Sequence, residues 1–299
     1  MTMKHAISIL CTLVFSTIVA AQSDLLGRAN KSYQEGDLKG ARTLVDEAVK
    51  DPRLTASPEV WVLRGFIYKD LFKNASEEEA DVLRDEALAS LFTAVASDST
   101  KQFSESSTPA YFYLAKTIYN DAARALNSLQ PDRAIGLYDK YREALRRMVP
   151  DTVLRKEDIE FKNALGTVYV KLFSQDRQQL GWYDKAVETY RSVLSLDSSN
   201  YGANYNLATL YYNRGVYNIQ RISADNDIPS IQQIQEVSRE FFTSALPYML
   251  RAHLMKPDRK ETILGLEGIH YSLQDVEQSR HYRHLYEELQ HDERKEKDQ

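Results

Sequence analysis

The chain has 299 residues, with 43% apolar, 27% charged and 10% aromatic side chains and a net charge of −5. This is enough apolar material for a sizeable core, which excludes a disordered or collagen-like chain, and the weak acidic balance argues against an electrostatic nucleic-acid footprint. Only 11 glycines and 8 prolines are present, too few for a turn-rich all-β protein or a glycine-rich nucleotide-binding fold, so a mostly helical chain is expected.

Residues 1–21 read as a secretory signal peptide. Lys4 supplies the positive end, Ala6 to Val19 the apolar run, and Ala20-Ala21-Gln22 a cleavage site with small residues. The run is shorter than the roughly 20 residues of a membrane-spanning helix, a retained anchor being the alternative. Cys11 lies inside the run, so a mature chain from Gln22 would hold no cysteine, and disulfides, a thiol nucleophile and Cys-ligated zinc fall away together. The expected product is a periplasmic protein without an integral membrane span.

Self-similarity then runs along the chain. The first unit has Ala29 and Tyr33, a turn at Gly36-Asp37, then Ala41, Val45, Ala48 and Pro52. The second opens with Trp61-Val62-Leu63-Arg64-Gly65-Phe66-Ile67-Tyr68 and answers with Ala87, Leu91 and Ala94. A third pairs Tyr111, Leu114, Ala115 and Ile118 with Ala134, Tyr138 and Tyr141, and a fourth pairs Leu165, Gly166 and Tyr169 with Ala186, Tyr190 and Val193. In the fifth, Asn204, Leu207, Ala208 and Tyr211 precede Ala245, Met249, Ala252 and Pro257. Gly268 and Tyr271 open a sixth, with a degenerate partner helix near Tyr282, Leu285 and Leu289. Each unit reads as two antiparallel helices in which a small residue permits close approach and a large one a turn later fills the remaining space. No such hairpin buries its apolar face alone, so neighbours must stack.

This pattern resembles the tetratricopeptide (TPR) family, whose repeat runs W-x2-L-G-x2-Y and then A-x3-F with a closing Pro. The resemblance covers nearly everything from Asp24 to Gln290 and implies an all-α, right-handed superhelix of about six hairpins over 22–290, followed by a charged tail at 291–299. It departs from the family in period. The small residues at 29, 65, 115, 166, 208 and 268 are 36 to 60 residues apart, against about 34 in the family. In the second unit the extra residues are expected between the helices, where Ser76-Glu77-Glu78-Glu79 has the form of a capping box. In the fifth, the helical period of Ile219 and Ile222 breaks at Asp225-Asn226-Asp227-Ile228-Pro229 and resumes through Ile231, Ile234, Val237 and Phe241. A long hairpin within 205–250 follows, either a contact element or a self-packed extension.

Candidate chemistry is sparse. H-E-x-x-H, G-x-S-x-G, Walker A and G-x-G-x-x-G motifs do not occur. His281, His284 and Glu288 could share a helix face, but a solvated charged face explains them, and Asp225-Asn226-Asp227 lacks the Gly and distal Glu of a calcium loop. No cofactor, metal site or catalytic residue is assigned. Asp98-Ser99-Thr100 and Asp151-Thr152-Val153 resemble acceptors of periplasmic O-glycosylation in Bacteroidetes, as well as ordinary loop composition.

The family resemblance directs attention to the concave groove, where such proteins generally hold an extended peptide or a helix. Offset from the packing positions lie Leu26, Asn30 and Tyr33, then Val62, Phe66 and Lys69, Phe112, Lys116 and Tyr119, Asn163, Thr167 and Lys171, and Tyr205, Thr209 and Tyr212. Rings supply area at low entropic cost and amides bond a peptide backbone. Tyr33, Phe66, Phe112, Tyr119, Tyr205 and Tyr212 are therefore the candidate partner-binding residues, unless neighbouring hairpins absorb these rings. The carboxylate clamp of cytosolic co-chaperones is not kept, since its positions read Leu26, Asn30, Leu63, Pro109 and Tyr113. The expected function is a non-catalytic scaffold or adaptor that binds a protein or peptide in the cell envelope. The alternative is an enzyme with a groove site of scattered Glu, His and Tyr.

Overall fold

The computed structural model describes residues 25–297. The signal-peptide reading, Cys11 included, lies outside them. Among the described residues every regular element is a helix: α1 (25–34), α2 (Leu38–Ala48), the single turn α3 (Pro52–Thr55), α4 (Pro58–Lys73), α5 (Glu77–Ser97), α6 (Ser104–Asn127) and α7 (Pro131–Met148). These are followed by α8 (Arg155–Gln175), α9 (Leu180–Leu196), α10 (Tyr201–Gln220), α11 (Ile228–Met255), α12 (Lys260–Ser272) and α13 (Val276–Lys297). Setting α3 aside, they form the six helical hairpins expected from the repeats.

The helix ends follow from local chemistry. Asp37, Asn200 and Asp227 cap α2, α10 and α11 by accepting from the amides of Gly40, Ala203 and Ser230, which relieves amides the helix itself cannot bond. Ser57 does the same for α4, whose first residue is Pro58. Ser76 sits at the N-cap of α5 but its side chain makes no cap hydrogen bond, so the expected capping box is not formed. The extra residues of that hairpin are not a loop either. They lengthen the helices, leaving only Asn74 to Ser76 between α4 and α5.

Three hairpin turns share one backbone device. Gly36 (φ +81°) lets Gly36 and Asp37 donate back to the carbonyls of Tyr33 and Ser32. Leu129 (φ +55°) and Gln274 (φ +64°) do the same with their successors at the ends of α6 and α12. This left-handed closure satisfies the last helical carbonyls and normally selects glycine. Only the first of the three is visible in the sequence.

The chain divides into two compact units. The first comprises residues up to Ala122 together with Gly136–Thr152. At its start Ala29, Ala41, Val45, Ala48, Val60 and Ile67 form one fully buried cluster, with Trp61 and Leu63 packed against it. Arg64 joins three helices: its guanidinium donates to Asp46 (2.9 Å), Glu86 (2.8 Å) and Ser90 (2.7 Å), and it lies over the ring of Tyr68. Arg84, fully buried, binds Asp81, Asp121 and Thr117 and so ties α5 to α6. Tyr111, also buried, donates to the carbonyl of Ala144 at 2.8 Å, joining α6 to α7, and burial pushes its phenol up to about 12.

The second unit comprises Ala123–Ile135 and everything from Val153. Here α8 packs on α9, α10 on α9 and α11, α11 on α12, and α12 on α13. A Cβ on Gly166 would come within 2.7 Å of the Tyr190 ring, and one on Gly215 within 2.5 Å of Phe242, so helices meet where glycine leaves room for a ring. Phe173, Tyr183, Tyr211 and Tyr248 continue as a chain of ring contacts. In the last hairpin the expected register is wrong in one respect. Tyr271, read as the filling residue, is 71% exposed, and the adjacent His270 is buried instead, stacked on Tyr282 at 5.5 Å.

Candidate functional site

In the first unit the offset residues converge. Leu26, Asn30 and Tyr33 from α1 and Val62 and Phe66 from α4 line one cleft of about 580 Å³, completed by Gly27, Leu54, Glu59 and Leu63. The α1 and α4 residues recur at helical spacing on one face, so both helices present a stripe to the same space. Tyr33 closes one end. Its hydroxyl donates to Asp70 at 2.6 Å, and burial followed by this bond raises its phenol well above the ordinary range. Asp70 is pushed up by burial, but the Tyr33 hydroxyl, Lys73 and Lys69 outweigh this and hold it below the usual carboxylate value. Tyr33 thus faces the cleft as a fixed neutral ring. Lys69 meets the same carboxylate, 3.4 Å from Asp70, and its ammonium lies 4.5 Å from the Phe66 ring centroid.

The remaining candidate rings are half-buried, each with a local partner. Phe112 meets the buried Tyr111 edge-on. Tyr119 packs with Tyr138 and Tyr141 beneath the Lys116 ammonium. In the second unit Tyr205 lies parallel to Tyr201. Burial raises its phenol, and a bond with Thr209 works against the rise. Tyr212 leans on Phe242 and reaches the backbone at Gly268, a position on α12. Asn163 donates to the capping oxygen of Asn200, which spends its amide on the joint between α8 and α10. Thr167 and Thr209 line a narrow pocket with Tyr190, Phe173 and Arg177.

Sequence reasoning missed the third element of the first cleft: Leu54 on α3 comes from the linker between hairpins, where no repeat position points to it, and Glu59 extends the α4 stripe one turn before Val62. It also missed that Asp98 is structural. Its carboxylate accepts from the amides of Gln102, Phe103 and Ser104 and the hydroxyls of Thr100 and Ser104. Burial would raise this acid, but those bonds outweigh it and its pKa is lowered.

Among the described residues no group of three His, Cys, Asp or Glu side chains is placed to hold a metal ion. His284 instead pairs with Glu288 at 3.4 Å, and His281 lies against Tyr282. Among the same residues no helix is long and apolar enough to cross a membrane.

The fold and clefts define a helical-hairpin repeat protein with apolar and aromatic clefts. No protein-family model and no curated protein matches the sequence. Solved structures similar to the chain include pilF of Pseudomonas aeruginosa, at 15% identity over 91% of this chain and 98% of that one, with a TM-score of 0.34. Another is IFIT1, described as a monomeric mutant with the capped RNA m7Gppp-AAAA, also at 15% identity and a TM-score of 0.34. That alignment covers 88% of this chain and 58% of IFIT1.

Proposed function

We propose that this chain is a non-catalytic adaptor of a bacterial cell envelope, exported by residues 1–21, that docks a protein or peptide partner on its first-helix clefts or on the α10–α11 hairpin. The observation that carries this reading is the convergence of Leu26, Asn30, Tyr33, Val62 and Phe66 on one open cleft. Rings already fixed by Asp70 and Lys69 lose little freedom on binding, and the Asn30 amide suits a peptide backbone. The helical-hairpin architecture supports a role in holding partners.

The test is capture of the native envelope partner by the purified chain. Phe66→Ala should weaken capture by at least about 1 kcal/mol if the ring is a hot spot, with helix content unchanged. Deletion of residues 218–236 should abolish capture if the hairpin is the docking element. Equal capture by both variants sinks the reading. An intact mass beginning at Gln22 checks the export step.

A further inference from the structure

Near the turn of the α10–α11 hairpin three arginines surround one ring. The guanidinium carbons of Arg177, between α8 and α9, Arg214 on α10, and Arg221 at the end of α10 lie 5.9, 5.7 and 5.8 Å from the Tyr217 ring centroid. Among the described residues none of the three forms an ion pair, in contrast to Arg64 and Arg84. Of the acids nearest in sequence, Asp176 accepts from the Gln178 amide and Asp227 caps α11 through the Ser230 amide. Two adjoining clefts of about 430 Å³ each share Arg214 and Arg221 as lining residues. One adds Arg177, Gln178 and Leu180, and the other Asn218, Asn226, Gln233, Ile234 and Val237. Neither contains a carboxylate.

Three guanidiniums gathered round one ring without an ion-pair partner repel one another, and a bound anion lowers that repulsion. Their planar forks match carboxylates in bidentate geometry. The lining is not purely cationic, since Leu180 and Val237 stand 44% and 39% exposed beside four amide side chains. A free phosphate would use the guanidiniums and leave the apolar wall unmatched. A nucleic-acid strand would want an open ring for base stacking, whereas the ring here is already faced by guanidiniums.

We propose that these two clefts bind an acidic peptide segment of a partner, with carboxylates on Arg177, Arg214 and Arg221 and interspersed apolar side chains on Leu180, Ile234 and Val237. This deepens the adaptor reading at the hairpin and rests on it for the class of ligand, but it is independent of the α1–α4 cleft.

The experiment is fluorescence anisotropy on the full purified chain with a labelled peptide alternating Glu and Leu, compared with the same peptide carrying Gln for Glu. The Glu peptide is expected to bind at least about tenfold more tightly, to lose about tenfold in the double variant Arg214→Gln, Arg221→Gln, and to weaken as salt rises. Both positions are partly or fully exposed and Gln keeps much of the stem, so a circular-dichroism melt of that variant should match the parent. Equal binding of the two peptides, or unchanged affinity in the variant, overturns the proposal. So does tighter, arginine-dependent binding of tripolyphosphate or oligothymidylate than of the Glu peptide. If the peptide fails but Phe66→Ala still weakens native capture, only the arginine assignment falls. If the peptide binds and Phe66→Ala captures normally, only the α1–α4 cleft falls.

Discussion

The two units hold their hairpins together by different means. In the first, charge does much of the joining: Arg64 spans α2, α4 and α5, and the fully buried Arg84 spans α5 and α6. In the second, shape does it, with Tyr190 against Gly166, Phe242 against Gly215 and Met249 against Gly265. Gly65 against Leu91 shows that the first unit also uses the close-approach device, but there it is reinforced by directional bonds. The difference teaches where each unit is vulnerable. A buried ion network fails when one partner is removed, whereas a glycine-to-ring contact fails when volume is added.

The largest effect should come from breaking the charged joint. Asp121→Ala leaves the Arg84 guanidinium buried with Asp81 as its remaining carboxylate, and the expected loss is about 3 kcal/mol, seen in chemical denaturation. A variant as stable as the parent would show that the network contributes little. Next comes the shape joint. Gly166→Leu should cost about 1–3 kcal/mol by overpacking, because even a Cβ collides with a ring that is 1% exposed. An unchanged melt would mean that Tyr190 can move aside.

Smaller losses should come from the groove rings. Phe112→Ala and Tyr205→Ala should each weaken partner capture by about 1 kcal/mol if they are hot spots, with circular dichroism unchanged. Early melting would place these rings in the packing of the hairpins instead.

Acid should separate the units by pH, with the smallest effect. His253 is lowered by burial first and then by the neighbouring His281 charge, while Asp258 works the other way and the Tyr282 ring packs edge-on. Its folded pKa lies below the unfolded value of 6.5, so the unfolded chain binds more protons. This contribution is full above 6.5 and is lost as pH falls below it. Asp70 and Asp98 in the first unit are lowered from 3.8, so their contribution is full above that value and fades only below it. Hydrogen exchange on falling pH should therefore loosen α11–α13 before the first unit, and His253→Gln should remove the earlier step. Simultaneous loosening of both units would contradict this order.

The hairpins were legible because burial repeats along the chain. Ala41, Ala87, Ala134, Ala186 and Ala245 are all fully buried, as are Leu114, Leu207 and Met249 to within 2% exposure, and a position that must always be small or apolar leaves a trace at helical spacing. Where the trace weakens, so did the reading. In the last hairpin both Gly265 and Gly268 are tightly packed, against Met249 and Tyr212, and two small residues three apart allow two registers. Leu129 and Gln274 turn a helix end without the glycine that would announce it.

Of the candidate sites, the stripe on α1 and α4 was visible as a face of each helix, while its closure by Leu54 was not. The arginine cluster left no trace, because Arg177 belongs to one hairpin and Arg214 and Arg221 to the next, and an unpaired arginine looks like any other in a chain of mixed charge. The amino-acid sequence by itself determined that helices form, where they pair and which faces are apolar, since these depend on neighbours within a few turns. Only the tertiary structure decided which rings are half-buried, which charges are neutralised and which stand open, since those depend on groups brought together by packing across the hairpins.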